Sequence, residues 1–198
     1  METPIPKEER LLIPSPRDVE TYDQKPAMSA AEVTTALLER FEKGMPDFTA
    51  LNFANMDMVG HTGVLEAAIK ACETVDHCVS QIVPEVLAQN GAVLITADHG
   101  NSEQMADAQG NPHTAHTQNR VPLIYIDPAS PKKSLSTGIL GDIAPTILEI
   151  MGLAKDEVAR AVEIAADNGT YVATHAYHDD SYNRLLDLGV RSFEHGFL

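Results

Sequence analysis

The run Gly91-Ala-Val-Leu-Ile-Thr96 is apolar without alternation, and Ala97-Asp98-His99-Gly100 follows it at once. A stretch this short, apolar on both sides and ended by turn residues, is a strand covered on both faces. Such a strand needs helices beside it, and the sequence supplies them. Residues 62–83 put Val64, Ala68, Cys72, Val75, Val79 and Ile82 on one helical face, with Pro84 placed to kink or end that helix. Asp142-Ile-Ala-Pro145 opens another helix, closed by Gly152, with Ile143, Ile147 and Met151 inward. Val121–Ile126 reads as a strand with Pro122 near its start, and Phe48–Ala54 as a shorter one. Upstream, Ser29-Ala-Ala-Glu32 has the form of a capping box, and Val33, Leu37 and Phe41 make a buried stripe that runs to Gly44. Strand and helix alternate, which predicts an α/β class with a largely parallel sheet and flanking helices.

The 198 residues suffice for one domain with a real core, and the 43% hydrophobic content fits a globular chain. A formal charge of −15 argues against nucleic acid or an anionic membrane as partner, since both call for basic patches. No run of 18 apolar residues exists, and the polar, Pro-rich residues 1–28 read as an extended lead-in without a signal core. Cys72 and Cys78 are six apart in a helix and point to different sides, so no disulfide joins them. A reducing, cytoplasmic location is the natural expectation.

In α/β sheets ligands gather at the carboxyl ends of strands. Asp57 follows the strand at 48–54, and Asp98 and His99 follow the strand at 91–96, so these groups are expected to converge at one sheet edge. Asp57 and His61 are four apart, and one helical turn or a tight loop aims both at one ion. The adjacent side chains of Asp98 and His99 diverge and suit two ions, or one ion and a bridge. His113 and His116 follow in a His-Thr-Ala-His-Thr run. Carboxylate with imidazole fits Mn2+ or Zn2+, and ligand type alone does not choose between them. Two such ions ~3.5–4 Å apart clamp the attacking and leaving oxygens of an in-line displacement. Singly, each motif has an ordinary explanation: a solvated helix face, a turn after a strand, an idle loop histidine. Their joint placement at strand ends carries the assignment.

Residues 9–153 also closely resemble the C-terminal portion of the cofactor-independent phosphoglycerate mutases, of the alkaline-phosphatase-like superfamily. The likeness lies in Arg10-Leu-Leu-Ile-Pro-Ser-Pro16, Val19-Glu-Thr-Tyr-Asp23, Asn52-Phe-Ala-Asn-Met-Asp-Met-Val-Gly-His-Thr-Gly63, Leu94-Ile-Thr-Ala-Asp-His-Gly-Asn101, Glu103-Gln-Met105, His113-Thr-Ala-His-Thr117 and Asp142-Ile-Ala-Pro-Thr146. The resemblance implies two manganese ions. Asp57, His61 and His116 match ligands of one; Asp98 and His99 match ligands of the other; His113 matches a neighbour of a ligand. It also implies a small phosphorylated substrate, with a metal-activated serine that takes the phosphate from 3-phosphoglycerate and returns it to the 2-position. The family draws that serine, a further Asp ligand and the substrate-holding arginines from parts that match nothing here. Ser102 is therefore read as a helix-start residue. The second ion is short of two ligands, and the expectation is metal binding without turnover by this chain alone.

From Asp156 the character changes. Residues 156–168 and 180–188 read as helices, and Thr170–Thr174 and Val190–Glu194 as strands, a second βαβ unit. Thr174-His175-Ala176 and Glu194-His195-Gly196, with their surroundings, resemble metal-dependent amidohydrolases of the imidazolonepropionase-like group, which are (β/α)8 barrels. His175 and His195 match ligands at the ends of two successive barrel strands. The chain thus divides into a mutase-like part, 1–155, and an amidohydrolase-like fragment, 156–198, joined near 154–160, with a gene-level join expected rather than a purposeful fusion. Three alternatives compete with the mutase reading. One is an amidohydrolase-type hydrolase in which the front part is scaffold. Another is a non-catalytic metal-binding module that complements a separate N-terminal half. The third is a phosphatase or phosphopentomutase of the same superfamily. Exposed strand edges and apolar surface predict self-association.

Overall fold

Met28, Val59, Ala67 and Ala71 form a buried cluster, with Tyr22, Ala54 and Met56 packed against it. The computed structural model describes residues 7–130 and 135–152, together with the backbone of Ala173–Thr174 and Ser192–Phe193. Two compact units divide the chain, Met1–Lys133 and Ser134–Leu198.

The first unit contains α1 (Ala30–Glu42), α2 (Asn55–Gly60), α3 (Leu65–Ala88), β1 (Val93–Thr96) and β2 (Leu123–Ile126), after a short 3-10 turn at Tyr22–Gln24. Helix α2 is brief but firmly held. Val59 is fully buried against α3, where Ala67 and Ala71 are small enough to let the two helices approach. Asn55, also buried, donates from Nδ2 to the carbonyls of Pro26 and Ala27, 2.9 Å each. The Pro26–Met28 segment and α3 therefore grip α2 from two sides. The lead-in is strapped along α1 by Ser29 Oγ donating to Pro14 O (2.8 Å) and Arg40 Nε donating to Glu9 Oε2 (2.5 Å).

Several expectations need correction. The sheet of the first unit is antiparallel, Val93 opposite Ile126 through Thr96 opposite Leu123. A parallel crossover is normally made by a helix, and residues 97–122 form none. Residues 48–54 are irregular, because a strand needs a ladder and β1 and β2 pair with each other. Strand β1 is only half-buried, so its apolar run is not covered on both faces. The buried stripe of α3 is Ala67, Ala68, Ala71, Cys78 and Ile82; Cys72 is exposed and Val64 is 38% exposed. The helix is thus rotated from the expected face, toward the side where small residues meet α2. On α1 the buried positions are Ala30, Thr34 and Leu37, with Val33 and Phe41 half-buried. No capping box forms at Ser29, whose hydroxyl is engaged with Pro14.

Helix α3 also continues through Pro84 to Ala88. It ends where Asn90 adopts φ 58° and Gly91 N–H closes on Val86 O at 3.0 Å, a left-handed cap that Asn tolerates. Proline has no N–H to give the carbonyl four residues back, that of Ser80. Pro84→Ala is expected to restore that bond and raise the unfolding free energy by about 1–3 kcal/mol, read from the urea midpoint.

In the second unit a 3-10 turn, Leu140–Asp142, leads into α4 (Ile143–Ile150), and Gly152 (φ 72°) follows it. Asp142 Oδ2 accepts from Ile139 N–H at 2.9 Å. Ile143 and Ile147 are half-buried as the pattern required, but Met151 is 41% exposed. Helix α4 packs against the adjoining 3-10 turn. Strands β3 (Ala173–Thr174) and β4 (Ser192–Phe193) pair in parallel. The helices expected at 156–168 and 180–188 lie outside the described residues, as do His175 and His195.

Candidate metal centre

Asp57 and His61 stand on one turn of α2, whose last hydrogen bond runs from His61 N–H to Asp57 O at 3.0 Å. The (i, i+4) spacing places both side chains on one face. The loop after β1 folds back through a bridge between Gly100 and Thr117, with Thr117 N–H on Gly100 O at 2.9 Å. That bridge carries His116 to the same place. His61 Nε2, His116 Nε2 and Asp57 Oδ1 then make a triangle whose three edges are each 3.1 Å. The ring of His99 stacks on that of His116, centroids 3.9 Å apart and planes 24° apart. Asp57, His99 and His116 each offer a ligand atom within 4.8 Å of the others.

Four of the five residues singled out in this part of the chain thus meet: Asp57, His61, His99 and His116. Asp98 stands aside. Its side chain is 79% exposed, and its approach to His99 Nε2 is 3.7 Å. The site is also not a sheet edge alone. With no strand at 48–54, α2 supplies Asp57 and His61, while the end of β1 and the following loop supply the rest. Ser102 starts no helix; its hydroxyl donates to Met56 O.

The triangle has the dimensions of a metal site. With edges of 3.1 Å, the three donor atoms are close enough for one divalent ion to be held by all of them. The ring of His61 is oriented from behind, with Nδ1 2.6 Å from Thr114 O. A carbonyl only accepts, so Nδ1 carries the hydrogen, and in the neutral ring Nε2 keeps its lone pair toward the triangle.

Electrostatics agree. Burial alone raises the Asp57 pKa, but the Asn101 hydrogen bond and the facing His61, His99 and His116 rings outweigh it, and the carboxyl is held below its ordinary 3.8. Asp57 is thus a carboxylate at neutral pH, the form a cation needs. Glu103 is likewise held below 4.5, first by its hydrogen bond from Thr117. Reading the sequence missed three parts of the site: Thr114 through its carbonyl, Asn101 and Glu103. Asn101 and Glu103 lie in the Asp-His-Gly-Asn-Ser-Glu run, but only the fold shows what they touch.

A family model described as the metalloenzyme superfamily matches residues 1–155. The chain is 60% identical over 154 residues to a 2,3-bisphosphoglycerate-independent phosphoglycerate mutase of Syntrophotalea carbinolica, covering 78% of this chain and 30% of that protein. It is 55% identical over 152 residues to one of Nitratidesulfovibrio vulgaris, covering 77% and 30%. Among solved structures it is similar to one described as Leishmania mexicana phosphoglycerate mutase at low cobalt concentration. That likeness has a TM-score of 0.53 and 39% identity, and covers 59% of this chain and 24% of the other. The chain spans about 30% of the length of these curated relatives.

Proposed function

The chain belongs to the metalloenzyme superfamily and has its alkaline-phosphatase-like fold, and from that premise we propose that residues 1–155 are the metal-binding part of a cytoplasmic, glycolytic phosphoglycerate mutase. The substrate class is a small phosphorylated hydroxy acid, interconverted between 3-phosphoglycerate and 2-phosphoglycerate through a phosphoserine. The observation that carries this reading is the 3.1 Å triangle of Asp57, His61 and His116. One carboxylate with two imidazoles suits Mn2+ and Zn2+ alike, and Mn2+ is assigned here from the family resemblance. Asp57 provides the negative charge, His61 a lone pair fixed by Thr114, and His116 the third corner. His99, stacked beside His116, is assigned with Asp98 to a second ion, for which Asp98 must turn inward from its exposed position. Bound divalent cations supply Lewis-acid stabilisation of charge on a phosphoryl oxygen.

The reading attributes the nucleophilic serine to mutase sequence outside these 198 residues, so the property assigned to them is cation binding rather than turnover. Titration calorimetry with MnCl2 tests it. Saturable uptake is expected, and absence of any binding heat or competition would overturn it. Adding the N-terminal part of a relative and assaying 2-phosphoglycerate separates a mutase piece from a purely metal-binding module, which would give none.

Residues 156–198 lie outside the family match. For them we propose the amidohydrolase-fragment assignment on the resemblance around His175 and His195 alone; the parallel pairing of β3 with β4 is that of any βαβ unit. His175→Ala and His195→Ala are then expected to leave Mn2+ uptake by the first unit unchanged. Self-association is also proposed: β1 and β2 pair only with each other among the described strands, and Leu123 and Ile124 are 37% and 49% exposed. Light scattering is expected to give a mass above 21.4 kDa; a clean monomer contradicts it.

A further inference from the structure

We propose that Asn101 is the positioning residue of this centre, holding the Asp57 carboxylate in the one orientation that closes the triangle. The inference rests on the metal reading above for its functional meaning, but its geometry stands independently. The Asn101 side chain is buried, 4% exposed. Its Nδ2 donates to Asp57 Oδ1 at 2.7 Å and to Asp57 O at 3.3 Å, so one amide holds both the side chain and the main chain of the ligand. The opposite amide orientation would set an oxygen against two oxygens.

The far side of the amide is informative too. Asn101 Oδ1 is buried without a hydrogen-bond partner, and it sits so close to Gly60 that a Cβ there would collide with it. A buried, unpaired carbonyl is costly, and an apolar side chain would fill the space without that cost. The donor is what the position requires. Glu103 fixes Asn101 in turn. Its Oε2 accepts from Asn101 N–H at 2.6 Å, while Oε1 accepts from Thr117 Oγ1 and from Asn119 Nδ2 at 2.9 Å. Thr117 is the neighbour of His116, so the same short turn sets α2 and the histidine loop in register.

The test uses the full chain and two variants, Asn101→Ala and Asn101→Asp. Mn2+ affinity is expected to fall about 10–100-fold in both, the range for groups that orient metal ligands, with the helical circular dichroism of the metal-free protein unchanged. The aspartate variant is the sharper one. It keeps the shape, loses the donor and adds a negative charge. If Asn101 only fills space, this variant binds Mn2+ as tightly as the parent or more tightly, and the proposal falls. A second readout needs no metal. The ring 15N signals of His61 and His116 in the metal-free protein are expected to move in Asn101→Ala as the Asp57 carboxylate turns away; unmoved signals overturn the proposal. Should the parent chain take up no Mn2+ while those signals still move, the metal reading fails and the positioning role stands.

Discussion

Asp57→Ala and His116→Ala are each expected to weaken Mn2+ binding by at least about 100-fold, more than the loss of a group that merely orients a ligand. Asp57 is the sole anion of the triangle, and its Oδ1 touches both histidine nitrogens at 3.1 Å. Without it, two imidazole nitrogens face each other at 3.1 Å with no charge to attract a cation. His116→Ala removes a corner and also the ring on which His99 stacks. His77→Ala is the matched control, because His77 is exposed on α3 and its ring hydrogen-bonds Gln81 on its own helix, away from the triangle. Calorimetric titration of the parent and the three variants reads the result. Binding by Asp57→Ala equal to that of the parent would refute the centre.

Val59→Asp is expected to unfold the first unit at or near room temperature. Val59 is 0% exposed, at the middle of the cluster that joins α2, α3 and the Met28 segment. An unpaired carboxylate there costs several kcal/mol, against a total of about 5–15 kcal/mol for a typical domain. The same cluster holds α2, so Asp57 and His61 are released together and Mn2+ uptake is lost with the fold. Val59→Ala separates the two effects. It leaves a small cavity and is expected to lower stability by about 1–3 kcal/mol while uptake survives. Circular dichroism melts and titrations on both variants check this, and a folded, stable Val59→Asp protein would show that the cluster is not the core of the unit.

The helices at 30–42 and 143–150 were legible from apolar periodicity and glycine stops, and the long helix from its periodicity over 62–83, since these signals act within a few residues. Asp57 and His61 were legible as a pair because helix geometry alone puts positions four apart on one face. Pro84 misled, because α3, anchored by the buried Cys78 and Ile82 before it, runs on to Ala88 despite the missing hydrogen bond. The stripe of α3 was misjudged because Cys72 and Ala71 are both plausible inward residues until a partner helix selects the smaller one.

The sequence by itself determined which groups could hold a cation, that Asp98 and His99 would follow a strand, and that Asp57 and His61 would share a helical turn or a tight loop. Those are local matters of spacing and turn chemistry. Only the tertiary structure decided that β1 runs antiparallel to β2, that Asp98 faces solvent while His99 stacks on His116, and that Asp57 is reached by Asn101 across 44 residues of chain and by His116 across 59. The physical reason is that a short-range pattern fixes φ, ψ and the side on which a residue stands. Contacts between distant segments instead depend on which surfaces fit, and one small residue such as Gly60 or Ala71 settles that fit without leaving a signal in the periodicity.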